Sequence, residues 1–414
     1  MTYILELQNQ CSTLFERYLK EFSNNTLHIK FEEESIHTLS YGIPGICIFY
    51  ASLDKLYPQE GWDYKAHKHL ELLNQNINFN QIDLSLFQGI SGVGAAILSL
   101  AKENRYKGYL KSLNVILESS VKELLDDFEN ISSVASRSWE SKVSLYDVFS
   151  GLSGVVRYML FFKDDNNNFT QLIKELVYKI IVFVELEIKK PIEKIIDKDD
   201  YINIGTAHGL SGLLAILSIV KLEGIEVNNL HSTITKLISF LEENSLIVSG
   251  VVTFPEKLPF IGTTKHKTSV NSSWCYGIPG ISRSMILASK AINDISLKEK
   301  YINNYVKFLE SLKLKKGEIS TIFCHGLSGI IYEAFLMYKE SGEVKFIKHI
   351  SELLYILHEN SDFNKNDPFP DCSVDNKYYK YKEGIVDGSI SVYIVLISIL
   401  LNEAIEMDWI FLKS

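Results

Sequence analysis

Six times along the chain a unit Gly-x-x-Gly, with serine or proline before its second glycine, opens a stretch of apolar residues. The copies read YGIPG at 41–45, QGISG at 88–92, SGLSG at 150–154, HGLSG at 208–212, YGIPG at 276–280 and HGLSG at 325–329, and a degenerate seventh, EGIVDGS, stands at 383–389. Their first glycines fall 47, 62, 58, 68, 49 and 58 residues apart. A lone Gly-x-x-Gly says almost nothing. Repeated in register, it makes the chain an array of one supersecondary unit that cannot bury its apolar face alone.

Each copy leads into a run with little polar interruption, such as GLLAILSIV at 212–220, GVVRYMLFF at 154–162 and GIIYEAFLMY at 329–338. A helix apolar on nearly every side must be buried all round. Between the copies lie amphipathic segments: Leu110, Leu113, Leu117, Val121, Leu124 and Phe128 mark one face, and Leu230, Ile234, Leu237, Ile238 and Leu241 another. These stretches are too long for strands and hold the helical period. Each repeat therefore reads as one buried and one half-exposed helix. Seven such hairpins in an open line would leave two raw ends, and an open solenoid would use amphipathic helices throughout with polar caps. A closed ring is expected: an all-α, α/α toroid of seven inner and seven outer helices, spanning 1–414 as one domain. The interval 246–271, with strand-like pieces, is expected to form a small β-containing extension.

The balance of residues narrows the function. With 46% apolar and 22% charged residues among 414, the chain is a core-forming protein. A net charge of −9 argues against a nucleic-acid binder that relies on phosphate contacts. The first residues, MTYILELQNQ, lack the basic region of a signal peptide. The longest apolar run, 389–401, is shorter than the roughly 20 residues that span a bilayer. Five scattered cysteines suit free thiols in a reducing compartment, so a cytoplasmic location is expected, with peripheral attachment to the membrane still open. Cys11, Cys47 and Cys372 carry no local signal.

Function is to be sought where copies depart from the glycine-and-apolar rule. Three do: WCYG with Cys275 and Tyr276, FCHG with Cys324 and His325, and AHG with His208. Thiolate and imidazole are preferred zinc ligands, and three protein ligands with one open position make a catalytic arrangement. No Cys-x-x-Cys pair is present, and two buried thiols with a satisfied histidine would look the same locally. The register favours the metal, since Cys275 and Cys324 both stand two residues before their glycine. His325, Tyr276 and His208 all occupy the slot just before it. Asp147, in YDVFSG, stands four before Gly151 and reads either as a site residue or as a helix N-cap. His208 reads either as a site residue or as a core histidine bonded to backbone.

GTAHGLSG, SSWCYGIPG, FCHGLSG and YDVFSGLSG, in this register, resemble the lanthionine synthetase C-like cyclases over essentially the whole chain. The resemblance implies one Zn2+ held by Cys275, Cys324 and His325. It implies Michael addition of peptide cysteines to dehydroalanine or dehydrobutyrine in a dehydrated lantibiotic precursor peptide, closing lanthionine or methyllanthionine thioethers. His208 would be the acid or base, supported by Asp147 and Tyr276. A dehydratase and an exporter would be partners, and an extension near 246–271 would meet the leader peptide. One departure stands out: many relatives have arginine where this chain has Asn271, so either Lys265 or Lys267 supplies the charge or the enzyme works without it. Two other readings remain: a non-catalytic thiol- or peptide-binding scaffold, and a zinc enzyme like the protein prenyltransferases, for which this acidic chain lacks a clustered basic site.

Overall fold

The computed structural model describes residues 2–26, 31, 34–79, 81–102, 104–127, 142, 145–164, 167–190, 192, 201–259, 270–314, 317, 319–365, 367–372, 379–380 and 384–414. Its main helices are α1 (Thr2–Asn25), α2 (Ile43–Leu56), α3 (Trp62–Asn76), α4 (Ile90–Leu100), α5 (Lys107–Asp126), α6 (Leu152–Met159), α7 (Asn167–Glu187) and α8 (Leu210–Leu222). They continue as α9 (Leu230–Glu243), α10 (Ile278–Ile292), α11 (Ile295–Ser311), α12 (Leu327–Ser341), α13 (Lys345–Glu359), α14 (Ser389–Leu401) and α15 (Glu406–Ile410). Even-numbered helices α2 to α14 each follow a glycine; odd-numbered α3 to α13 lie between them, and α1 precedes the first.

The two sets differ as the apolar pattern requires. In α8 every residue from Leu210 to Val220 is buried. Its serines fit because their hydroxyls bond within the helix or its entry loop: Ser218 Oγ donates to Leu214 O at 2.6 Å and Ser211 Oγ to Ile204 O at 2.6 Å. In α9 Leu230, Ile234, Leu237, Ile238 and Leu241 are buried on one face, each contributing about 1.5–3 kcal/mol of apolar burial.

The chain divides into two compact units. The first comprises 1–82, 95–107 and 312–408. Within it α14 packs against both α12 and α2, and α1 packs against α13 and α14. The first helix thus serves as outer partner to the last inner helix, and Ile385 N donates to Ser40 O at 3.1 Å between the seventh and first glycine loops. This joining of first and last repeats removes the raw ends an open solenoid would leave. The second unit comprises 83–94, 108–311 and 409–414, with α8 packed on α6, α7, α9 and α10.

Strands are short. β1 (Ile202–Asn203) pairs antiparallel with β4 (Lys257–Leu258), and β5 (Asp371–Cys372) with β6 (Tyr379–Lys380). β2 (Leu246–Val248) and β3 (Val251–Thr253) form a hairpin turning at Ser249 and Gly250, both at positive φ as a tight two-residue turn demands. Asn304 of α11 ties the hairpin down, accepting from Val252 N and donating to Val252 O, each at 2.8 Å. The β-containing pieces expected in 246–271 therefore lie at 246–258; Lys265 and Lys267 fall outside the described residues. Among the described residues no helix is long and apolar enough to cross a membrane.

Candidate metal and acid–base centre

The loops that enter the inner helices share one geometry. The residue after the first glycine donates its N–H to a carbonyl seven residues earlier: Ile43 to Ile36 at 2.9 Å, Ile90 to Asp83 at 2.8 Å, Ile278 to Asn271 at 3.0 Å and Leu327 to Ser320 at 2.8 Å. The unit's serine repeats this with its hydroxyl, as Ser91 does to Leu84 O at 2.6 Å and Ser153 to Tyr146 O at 2.5 Å. Glycine at the second position is required by crowding. A Cβ on Gly280 would run into Trp274 O, and one on Gly329 into Phe323 O.

Neighbouring loops are stitched two residues before the glycine. Phe87 N donates to Phe149 O at 3.1 Å, Ala207 N to Cys275 O at 3.3 Å, and Cys324 N to Val386 O at 3.2 Å. Cys275 and Cys324 thus hold equivalent places in their loops. The seventh copy is registered differently from its sequence reading. Gly388, not Gly384, caps α14, and Ser391 takes the place of the second glycine. Asp387 therefore occupies the slot of His208, Tyr276 and His325, and Tyr41, in that slot of the first copy, donates its hydroxyl to Asp387 Oδ2 at 3.0 Å.

In the second unit Asp147 and His208 meet. His208 Nδ1 lies 2.6 Å from Asp147 Oδ2, with the carboxylate 1% and the imidazole 37% exposed. Asp147 Oδ1 accepts from Ser150 N at 2.7 Å. Asp147 is not a helix cap, because α6 starts on Gly151 with no side-chain cap. Since the carboxylate can only accept, Nδ1 carries the hydrogen and Nε2 is the nitrogen through which a substrate proton would pass. The Phe149 ring lies 5.1 Å from the imidazole.

Cys275 is bound into the same loops, its carbonyl accepting from both Thr206 N and Ala207 N, next to His208. Its thiol is half-buried and outside any disulfide. Burial pushes the Tyr276 phenol above its ordinary value, against the hydrogen bond with Asn203 and helped by the Cys275 charge. Tyr276 is therefore a neutral hydrogen-bond donor at physiological pH. Asn271 serves its own loop. Its Oδ1 accepts from Ser273 N at 3.0 Å, and its Nδ2 donates to Glu256 Oε1 at 3.0 Å. Asp83 and Asn203, six residues before their own glycines, accept from Ser85 N and Gly205 N in the same way, each at 2.8 Å. At position 271 the repeat's ordinary Asx turn stands where the family resemblance led us to expect an arginine.

In the first unit Cys324 is half-buried and His325 exposed. His325 Nε2 lies 2.8 Å from Asp371 Oδ1. Asp371 also accepts from Ser320 Oγ at 3.0 Å, and Thr321 holds Pro370 O through its N–H at 3.2 Å and its hydroxyl at 2.9 Å. Nothing in the sequence singles out Asp371. It lies 46 residues beyond its partner in an irregular stretch and carries no repeat signal.

Among the described residues no group of three or more His, Cys, Asp or Glu side chains already forms a metal site. The donor types nonetheless suit zinc: two thiols and an imidazole. The Asp371 contact at His325 Nε2 is of the kind that supports metal-bound histidines, and it would leave Nδ1 for a metal.

The family model described as lanthionine synthetase C-like protein matches residues 35–412. The nisin biosynthesis protein NisC of Lactococcus lactis subsp. lactis is 27% identical over 333 residues, 76% of this chain and 77% of that protein. A solved structure of nisin cyclase matches with a TM-score of 0.75 at 20% identity, covering 97% of this chain and 98% of that one. The fold is thus the α/α toroid that the glycine repeat led us to expect.

Proposed function

The chain belongs to the lanthionine synthetase C-like protein family, and from that premise we propose that it is a zinc-dependent cyclase closing thioether rings in a dehydrated lantibiotic precursor peptide. The observation that carries the reading is the equivalence of Cys275 and Cys324. Both are half-buried thiols outside any disulfide, in the same loop slot, one beside a carboxylate-backed histidine and the other in loops shared with a second one.

Cys275, Cys324 and His325 would hold the metal, the set being assembled on binding. Bound zinc would supply a deprotonated substrate thiol at neutral pH, where a free thiol of pKa near 8.5 is only a few per cent ionised. Two thiolate ligands would keep that sulfur electron-rich. Asp371 fixes the His325 ring and its tautomer. His208 then moves protons: its Nε2 takes the thiol proton, or returns one to the enolate carbon after the sulfur has added to the alkene. Asp147 sets the tautomer that makes both possible and stabilises the imidazolium between them. Tyr276, held neutral by burial, donates a hydrogen bond toward the enolate oxygen. The Asx turn at Asn271 leaves no cation at that position, so Tyr276 carries more of the enolate stabilisation here than where an arginine stands.

A dehydratase and an exporter would act before and after this step, in the cytoplasm or at the inner face of its membrane. The β2–β3 hairpin is a surface for the leader peptide.

Cyclisation leaves peptide mass unchanged, so the test labels remaining thiols. Dehydrated precursor is incubated with enzyme and then alkylated. Loss of alkylation with wild type but not with Cys324→Ala supports the cyclase. Unchanged labelling with zinc-loaded wild type would make the protein a thiol- or peptide-binding scaffold instead.

A further inference from the structure

Residues 409–414 pack inside the second unit, with Phe411, Leu412 and Lys413 buried. Two buried arginines of inner helices hold this segment's backbone. Arg283 of α10 donates Nε–H to Lys413 O at 2.6 Å, and Arg157 of α6 donates from Nη2 to Ser414 O at 3.1 Å. Arg157 also lies over the rings of Phe161 and Trp409, at 4.9 and 5.7 Å. Burying a guanidinium is unfavourable unless it is bonded, so two of them directed at one short segment make a built anchor.

The anchor delivers Phe411. Its ring meets Trp274 edge-on at 4.8 Å and 89°, and lies 5.5 Å from Phe87. Phe87 stacks on Phe149 at 4.1 Å. Phe149 lies 6.0 Å from Trp274 and 5.1 Å from His208. Trp274 precedes Cys275 in the chain, and Phe149 follows Asp147 by two residues. These four rings form a continuous floor between the loop of Cys275 and the pair His208–Asp147.

We infer that the segment 409–414 is a positioning element of the reaction centre, with Phe411 as the ring that sets the Cys275 loop against His208. This rests on the roles proposed above for those two residues. A packed aromatic cluster transmits displacement because it has no slack. Leucine at 411 keeps the segment apolar but removes the ring edge that Trp274 rests on.

The test compares wild type, Phe411→Leu and Phe411→Tyr in two ways. In the first, kcat and KM for the dehydrated precursor are measured. In the second, N-ethylmaleimide labelling of each cysteine in metal-free protein is timed by peptide mass mapping. Phe411→Leu is expected to lower kcat on the order of tenfold to a hundredfold with KM unchanged, as a small misplacement of reacting groups does. Cys275 should be labelled severalfold faster, while Cys324 and the buried Cys11 and Cys47 keep their rates. Phe411→Tyr, which retains the ring, should behave close to wild type. Wild-type kcat and Cys275 labelling in Phe411→Leu would overturn the inference. So would equal acceleration at Cys11 and Cys47, which reports loss of fold. Should Phe411→Leu fail to fold, Arg283→Met releases the Lys413 carbonyl without touching a ring and is held to the same two outcomes. The labelling is independent of turnover, so a wild type without cyclase activity would sink the proposed function and leave this inference to be decided by Cys275.

Discussion

Replacing Asp147 by asparagine changes one atom and should silence His208. The carboxylate is 1% exposed, accepts from Ser150 N at 2.7 Å and stands 2.6 Å from His208 Nδ1. In the asparagine variant the amide oxygen keeps the Ser150 bond, so the amide nitrogen faces Nδ1. Two donors cannot bond, and the ring settles in the tautomer with hydrogen on Nε2. His208 then cannot take a proton at the nitrogen that faces substrate. Loss of one positioned acid–base group costs about 10²–10⁴ in rate, or about 2.7–5.4 kcal/mol of barrier. Stability should fall by only about 1–1.5 kcal/mol, the difference between a hydrogen bond to a charged group and the neutral one that the amide makes to Nδ1. The alkylation assay gives kcat and KM, and urea unfolding gives the stability. KM should stay unchanged, and Asp147→Asn combined with His208→Asn should be no slower than His208→Asn alone, because the two act as a unit. A kcat for Asp147→Asn within about threefold of wild type, or a further large loss in the double variant, would refute the reasoning and return Asp147 to a turn-forming role.

Asp371→Ala should weaken zinc binding about 10–100-fold, as loss of a histidine's supporting carboxylate does; competition with a chromogenic chelator measures it. Gly280→Ala puts a Cβ against Trp274 O and should destabilise by about 1–3 kcal/mol, read as a lowered urea midpoint. Alkaline pH should unfold the protein through its buried phenols. Tyr50 is pushed up to about 12 by burial, from an ordinary 10.0. The unfolded chain therefore loses that proton first, and stability present below pH 10 is lost as pH rises toward 12. The share of Tyr50 is about 2.7 kcal/mol, so urea unfolding between pH 9 and 11 should show a shallower decline for Tyr50→Phe.

The helical repeat was legible because burial writes itself into periodicity. An inner helix such as α8 has no solvent side to supply polar residues, and α9 buries the five residues that its 3.6-residue spacing marked. Register also placed His208, Tyr276 and His325 in one slot, since that slot is a property of the loop. Contacts that join distant loops were not legible. Asp147 could be read as a cap because a carboxylate before a helix usually is one, and only the fold brings His208 to it. Asp371 reaches His325 across a stretch with no repeat signal. The seventh copy was misplaced because Ser391 stands where the second glycine should be, leaving Gly384 as the more conspicuous glycine. Asn271 looked like a missing arginine, although its side chain makes the same turn as Asp83 and Asn203.

Metal analysis combined with X-ray absorption at the zinc edge tests the central claim most directly. Purified protein is predicted to hold zinc in a 1:1 ratio with a shell of two sulfurs and one imidazole nitrogen, and to lose it in Cys275→Ala, Cys324→Ala and His325→Ala. Absence of stoichiometric zinc, or an unchanged sulfur shell in Cys275→Ala and Cys324→Ala, would contradict the account.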